Sequence, residues 1–290
     1  MAKIGLVLRP GMPEIKKLGR ELLDWANSNG HQVLLGLDAA KVLKMSGGCS
    51  PQELAAHTDL IVSLGGDGTL IGVARYVSEK SPLMVGVNFG TLGFLTEISP
   101  NELFHTLTEH FNGTGLAGER SLLRAEVYRG PKVIFASQAV NDVVLQKGVR
   151  EKLVELDIAV NDEAVMRLRG DGIIVSTPTG STAYSLAAGG SIVYPLLSVI
   201  LITPICPHSL NVRPLILPLE KLITLRIPPY DGKVFLIIDG QDSMQLAAGD
   251  EIRVCCSPNK VRFARSPKRS YFEILRGKLN WGLGNSSNLQ

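Results

Sequence analysis

The hydrophobic pattern of this chain changes its period near residue 120, and this change limits the fold more than any other feature. Before it, strand patterns alternate with helix patterns: Lys3 to Arg9 fits a buried strand, and Pro13 to Asn29 fits a helix with one apolar stripe. Such alternation predicts a parallel sheet covered on both faces, with ligand sites outside the carboxyl ends of its strands. After residue 120, short alternating runs separated by turn pairs such as Asp239-Gly240 predict mostly antiparallel β structure.

The composition is that of a globular protein of ordinary charge, with 290 residues, 45% of them hydrophobic, and a net charge of +3. No apolar run approaches the roughly 20 residues of a membrane span, and no secretion signal opens the chain. The four cysteines lack metal-ligand spacing and fit reduced thiols. We therefore expect a cytoplasmic protein that does not enter a membrane and has no metal site built on its cysteines.

Positive charge is concentrated after Pro258, where seven Lys or Arg residues accompany a single acid, Glu273. Such a segment suits contact with nucleic acid, with polyphosphate or with the phosphates of a nucleotide. A solvated or subunit-packing surface explains it equally well, and no aromatic stacking pattern accompanies the charges. We expect no nucleic-acid partner, and the role of this basic segment stays open at this point.

A glycine-rich loop with one acid, Gly65-Gly66-Asp67-Gly68-Thr69, lies between an apolar strand and a predicted helix from Thr69 to Glu79. Glycines let backbone N–H groups approach phosphate oxygens, and the helix N-terminus adds a positive dipole. The loop lacks the lysine of a Walker motif and the third glycine of a dinucleotide fingerprint. Asp67 would repel phosphates unless it coordinates a bridging metal ion or accepts a proton from an attacking hydroxyl. Its plainer interpretation is a cap of the helix.

Two further segments suit a ligand. A second glycine turn, Asn88 to Leu95, follows the next strand, and adjacent strand ends place two loops at one crevice. Arg169 to Gly190 interleaves hydroxyl side chains, small residues and one aromatic ring, Tyr184, which suits a ribose and a base. The plainer interpretation is a strand followed by a helix capped by Ser or Thr.

Together these segments resemble the NAD kinase family. The family's GGDGT loop is here Gly65 to Thr69, its glycine turn is Asn88 to Thr96, its Asn-acid element is Asn141-Asp142, and its long threonine-rich signature is Asp171 to Gly190. The resemblance extends over most of the chain. The GGDG loop alone is shared with lipid kinases and phosphofructokinases, whereas the threonine-rich signature is specific.

The resemblance implies a two-domain fold. Residues 1–119 would form a Rossmann-like α/β domain, similar to that of phosphofructokinases and diacylglycerol kinases, which the C-terminal segment 259–290 rejoins. Residues 120–258 would form a β-rich, β-sandwich-like domain that binds NAD. The family also implies a homodimer or homotetramer.

The implied reaction transfers a phosphoryl group from ATP, another nucleoside triphosphate or polyphosphate to the adenosine 2′-hydroxyl of NAD, which gives NADP. Asp67 would accept the proton, and a divalent metal ion, Mg²⁺, would be carried with ATP. Asp142 stands where the family often has Glu, so its charge is kept and its reach is one methylene shorter. The phosphate-loop residues implied are Gly65, Gly66, Gly68 and Thr69. The NAD contacts implied are Asp67, Gly68, Asn141, Asp142, Lys152, Arg169, Asp171, Thr182, Ala183, Tyr184, Ser185, Leu186, Ala187 and Gln241.

Three other functions compete with this one. A lipid kinase of the diacylglycerol type would need an apolar acceptor site, which Asp171 to Tyr184 does not resemble. A sugar kinase would need basic residues near the glycine loop, and only Arg75 follows it. A non-catalytic NAD(H)-sensing protein would keep the dinucleotide pocket and discard Asp67, which is present.

Overall fold

The computed structural model describes residues 1–90 and 93–281. Thr91 and Leu92 of the second glycine turn, and residues 282–290 of the C-terminal segment, lie outside this part. The chain divides into two compact units: residues 1–119 with the C-terminal residues from Val261 onward, and Arg120–Lys260. No helix in the described part of the chain is long and apolar enough to cross a membrane.

The first unit contains a parallel sheet with helices. Its strands are β1 (Lys3–Leu8), β2 (Gln32–Gly36), β3 (Gly48–Cys49), β4 (Leu60–Leu64) and β5 (Leu83–Val87). Its helices are α1 (Pro13–Ser28), α2 (Leu37–Leu43), α3 (Pro51–His57), α4 (Asp67–Ala74) and α5 (Leu103–Phe111), with a 3₁₀ turn at Pro100–Glu102.

The strand order in this sheet is β5-β4-β1-β2-β3, and each neighbouring pair is parallel. The apolar strands β4 and β5 are buried along their whole length. Because they are adjacent and parallel, the loops that follow Leu64 and Val87 leave the sheet at the same edge. The two glycine segments therefore belong to one side of this unit.

The predicted helix from Pro13 is confirmed, with Ile15, Leu18, Leu22 and Ala26 buried on one stripe. The helix after the glycine loop differs from its predicted span of Thr69 to Glu79. It begins at Asp67 because Gly66 is the extended residue before it, and it ends at Ala74.

The second unit contains twelve β-strands and one short helix, together with a 3₁₀ turn at Thr179–Thr182. Its strands begin with β6 (Ala117–Arg129), β7 (Lys132–Ala139), β8 (Asp142–Lys147), β9 (Val154–Val160), β10 (Glu163–Gly170) and β11 (Gly172–Ser176). After α6 (Tyr184–Ala187) come β12 (Val199–Ile205), β13 (Leu215–Pro218), β14 (Ile223–Arg226), β15 (Val234–Ile238), β16 (Asp242–Leu246) and β17 (Glu251–Ala264), whose last residues belong to the first unit.

Two sheets share the core of this second unit. One has the order β13-β12-β11-β8-β15-β16, and the strands β10-β9-β14-β17 run consecutively in the other. Side chains of both, such as Leu145 and Ile173 from the first and Leu156 and Ile252 from the second, are buried in one apolar cluster. Two sheets packed on a common core form a β-sandwich-like arrangement. The predicted fold class, an α/β N-terminal domain and a β-rich C-terminal domain, is confirmed.

The basic segment forms a further helix in the first unit, α7 (Tyr271–Leu279), which is anchored through Arg269. The Arg269 guanidinium donates hydrogen bonds to the Glu102 carboxylate and to the Glu97 carbonyl, both at 2.9 Å. Burial by itself raises the pKa of Glu102, but hydrogen bonds from Ser99 and Arg269 outweigh it and lower the pKa to about 2. The ion pair therefore stabilises the fold at neutral pH.

We expect Arg269→Ala to lower the free energy of unfolding by about 2 kcal/mol at pH 7, because a mostly buried carboxylate loses a charged partner. This stabilisation should be complete above about pH 4.5 and disappear as the pH falls toward 2, since the pKa of Glu102 is lowered from 4.5 to about 2 by folding. Lys268→Ala is the matched control, because Lys268 contacts the same carboxylate at 3.6 Å but is 68% exposed. Urea unfolding of both variants and of the wild type at pH 7 and pH 3 checks this. An equal loss of unfolding free energy in Arg269→Ala and Lys268→Ala at pH 7 would contradict it.

Candidate functional site

The two glycine segments of the first unit line an open cleft of about 390 Å³. Gly65, Gly66 and Asp67 line it from the first segment, and Asn88, Phe89, Gly90 and Gly93 line it from the second. An added Cβ on Gly66 or Gly68 would meet no atom of the described residues within 4 Å, so they leave open space beside the backbone there. The cleft therefore presents a bare backbone surface at the start of α4, as a phosphate-binding loop requires.

Asp67 connects the two segments through its carboxylate. Oδ2 accepts a hydrogen bond from the Phe94 N–H at 2.8 Å. Oδ1 accepts from the Leu95 N–H at 3.2 Å, the Thr96 N–H at 2.9 Å and the Thr96 hydroxyl at 2.8 Å. The plainer interpretation of Asp67 as a helix cap is wrong in this respect, because the carboxylate receives N–H groups of the second turn. Asp67 is thereby fixed in place at the wall of the cleft.

In the second unit, Asp239 fixes the backbone of the Asn-acid element. Its carboxylate accepts hydrogen bonds from the N–H groups of Val140 at 2.8 Å, Asn141 at 2.7 Å and Asp142 at 3.0 Å. The Asn141 carbonyl accepts in turn from the Thr177 N–H at 2.9 Å. The Asn141 side-chain amide makes no hydrogen bond to the rest of the described chain, although its backbone is held on both sides. The amide is therefore available to bind a ligand.

Asp142 is a buried acid beside a second acid. Only 4% of its surface is exposed. Burial and, to a lesser degree, the charge of Asp239 raise the pKa of Asp142 to about 7. Asp142 therefore changes charge near neutral pH, unlike an ordinary aspartate.

The threonine-rich signature uses most of its hydroxyls internally. Ser181 donates to the Pro178 carbonyl at 2.6 Å, Thr182 donates to the Thr179 carbonyl at 3.2 Å, and Ser185 lies 2.8 Å from the Thr203 hydroxyl. Tyr184 is different, with 41% of its surface exposed. This segment is thus a hydrogen-bonded scaffold that presents the Tyr184 ring.

The other predicted residues of this unit lie at several places around these strands. Asp171 precedes β11 and pairs with the Lys147 ammonium at 3.5 Å, while Arg169 is near the end of β10. The Lys152 carbonyl accepts a hydrogen bond from Tyr230, and the Gln241 N–H closes the turn after β15. Ala183, Leu186 and Ala187 lie at or beside α6.

Three polar residues at these sites are absent from the predicted set. Asp239 carried a weak signal, since it belongs to an Asp-Gly turn pair. Arg9 and Lys278 line the cleft of the first unit. Lys278 belongs to the basic segment whose role was left open, and nothing in the local sequence singles out Arg9. No group of three His, Cys, Asp or Glu side chains suited to a metal ion occurs within residues 1–90 and 93–281.

The comparisons with known proteins agree along the whole chain. The ATP-NAD kinase N-terminal domain matches residues 4–114, and the ATP-NAD kinase C-terminal domain matches residues 140–266. The NAD kinase of Geotalea daltonii is 39% identical over 282 residues, which cover 97% of this chain and 99% of that protein. The NAD kinase of Desulforamulus reducens is 40% identical over 280 residues, covering 96% and 97%.

Solved structures show the same fold. Yeast NADH kinase, complexed with NADH, superposes with a TM-score of 0.91 at 27% identity and covers 100% of this chain and 90% of that one. An NAD kinase from Archaeoglobus fulgidus in complex with ATP superposes with a TM-score of 0.75 at 24% identity and covers 96% of this chain and 98% of that one. At this identity the similarity supports the fold alone. The family match sets aside the lipid-kinase, sugar-kinase and sensor alternatives. The chain belongs to the NAD kinase family and is a kinase that phosphorylates NAD.

Proposed function

We propose that Asp67 accepts the proton of the adenosine 2′-hydroxyl of NAD while that oxygen attacks the terminal phosphorus of ATP, whose bond to the neighbouring phosphate breaks to release ADP. The observation that carries this proposal is the fixed carboxylate at the wall of the cleft, held by hydrogen bonds from Phe94, Leu95 and Thr96. Phosphoryl transfer depends mainly on positioning and charge, and a base assists as bond formation advances. Gly65, Gly66, Gly68 and Thr69 would shape the loop that receives the phosphates.

The divalent ion of the reaction is proposed to be Mg²⁺ and to enter as MgATP. Mg²⁺ keeps several waters and binds through phosphate oxygens with one or two carboxylates, so a dedicated protein cage is not needed. ATP is the proposed donor, and other nucleoside triphosphates or polyphosphate share the phosphate groups that such a loop recognises.

The second unit is proposed to recognise NAD. The open amide of Asn141, the buried acid Asp142 and the exposed ring of Tyr184 offer hydrogen bonds and a stacking surface for a ribose and a base. The remaining proposed contacts are Gly68, Lys152, Arg169, Asp171, Thr182, Ala183, Ser185, Leu186, Ala187 and Gln241.

A homodimer or homotetramer is proposed from the surface of this unit. Leu196 and Leu197, adjacent residues of the loop before β12, are 56% and 53% exposed, and exposed apolar side chains favour association with a second copy. Four free cysteines suit a reducing compartment, so we also propose a cytoplasmic location.

The proposed NAD contact is tested by Asn141→Ala. We expect it to raise the Kd for NAD about tenfold, because one or two hydrogen bonds to the ligand are lost. The KM for ATP should stay unchanged. Asn211→Ala, on an exposed loop of the same unit, is the matched control and should change neither. Calorimetric titration with NAD measures the Kd, and unchanged NAD affinity in Asn141→Ala would overturn this contact.

A further inference from the structure

Two cations, Arg9 and Lys278, line the cleft of the first unit. Arg9 immediately follows β1, and Lys278 is in the last turn of α7. Both are exposed, and neither makes an ion pair within the described part of the chain. The Asp67 carboxylate, the acid that lines the same cleft, is engaged by the second glycine turn. The cleft is therefore an electropositive space with a backbone floor.

The backbone of the cleft fits an anion. The N–H groups of Gly66 and Asp67, at the N-terminus of the eight-residue helix α4, have no hydrogen-bond acceptor among residues 1–90 and 93–281. No atom of the described part of the chain lies within 4 Å of an added Cβ at Gly66. Unpaired N–H groups, a helix dipole and two side-chain cations favour a multiply charged ligand over a single carboxylate.

The position of Lys278 is set by the anchor of the basic segment. Arg269, just before α7, is bound to Glu102 and to the Glu97 carbonyl, and Ile274 and Leu275 of α7 are buried. Lys278 is on the same helix, one turn beyond these buried residues. A structural anchor at the start of the helix thus places a free ammonium group at the cleft near its end.

We propose that Arg9 and Lys278 bind the triphosphate of the phosphoryl donor, which gives the basic C-terminal segment a direct part in donor recognition. This inference rests on the proposed function of the cleft. The Arg9 guanidinium supplies a planar pair of donors for phosphate oxygens, and the Lys278 ammonium supplies a compact charge. Together they offset the charge of the triphosphate that MgATP leaves uncompensated.

The test replaces each cation by methionine, which keeps an apolar stem and removes the charge. We expect Lys278→Met and Arg9→Met each to raise the KM for ATP about ten- to hundredfold, since each loses charge-assisted hydrogen bonds, with the KM for NAD unchanged. Inorganic tripolyphosphate, used as a competitor of ATP, should inhibit both variants less well by the same factor. Lys278→Arg should recover most of the ATP affinity.

Arg276→Met is the matched control, because Arg276 is an exposed cation on the same helix that does not line the cleft. It should leave the KM for ATP and the tripolyphosphate inhibition at wild-type values. This inference alone would be overturned if the wild-type protein forms NADP but Lys278→Met does not change donor binding. In that case, the KM for ATP and the inhibition by tripolyphosphate of the variant would lie within twofold of the wild-type values. Absence of NADP formation by folded wild-type protein would overturn the proposed function itself.

Discussion

Asp67→Asn is expected to lower the rate of NADP formation by about 10²- to 10⁴-fold at saturating ATP and NAD. The amide keeps the shape of the side chain but loses the negative charge and one acceptor oxygen. Its NH₂ group must face either the Phe94 N–H or the N–H groups of Leu95 and Thr96, which now donate to the carboxylate. The rate is measured with an NADP-specific dehydrogenase, beside circular dichroism to show that the variant is folded.

Thr96→Val separates the placement of Asp67 from its charge. Valine keeps the shape of the buried threonine and removes two hydrogen bonds of its hydroxyl, the one that it donates to Asp67 at 2.8 Å and the one that it accepts from the Asn88 amide at 3.1 Å. The carboxylate and its three backbone N–H donors remain, so the rate should fall by no more than about tenfold. If Asp67→Asn retained a rate within tenfold of wild type, the proposed proton acceptor would have to be sought elsewhere.

Gly93→Ala is expected to remove most activity and to destabilise the first unit. An added Cβ at Gly93 would lie 2.0 Å from Asp67 Oδ1 and 2.3 Å from Thr96 Oγ1, distances that no real Cβ contact allows. The carboxylate must move and leave its hydrogen bonds. We expect at least about a hundredfold loss of the NADP-forming rate and about 1 to 3 kcal/mol of stability, the usual cost of overpacking.

Gly90→Ala is the control for this prediction, because it makes the same chemical change in the same glycine turn. Among the described residues, the nearest atom to its added Cβ is Asn88 Oδ1 at 3.9 Å, so we expect no overpacking against them. Its melting temperature should match that of wild type, whereas that of Gly93→Ala should fall by several degrees. Equal melting temperatures for the two variants would show that Gly93 is not packed against Asp67 as described.

Much of the fold follows from local patterns in the sequence. The apolar stripe of α1 predicts both the helix and its buried face, because a period of 3.6 residues puts all of its apolar side chains on one side of the helix. The Ser99 and Glu102 pair predicts a helix start, and the Ser99 N–H does donate to the Glu102 carboxylate at 2.9 Å. The same pattern at Ser50 and Glu53 begins α3, which is absent from the predicted elements. Both halves of this capping box are visible in the sequence.

The contacts of the candidate site are harder to predict, because their partners are distant along the chain. Asp67 is visible as an acid among glycines, but its partners begin 27 residues later, at Phe94. Asp239 reaches the N–H of Asn141 across 98 residues. Lys278 comes to the cleft only because α7 packs in the first unit. Tertiary packing decides these contacts, and a local pattern contains no information about them.

The central claim is that this chain forms NADP by transferring a phosphoryl group from ATP to NAD. The most direct measurement incubates the purified protein with MgATP and NAD and follows NADP with an NADP-specific dehydrogenase, with reactions lacking ATP or Mg²⁺ alongside. The account predicts NADP formation that requires both ATP and Mg²⁺. Failure of a folded preparation to form NADP under these conditions would contradict it.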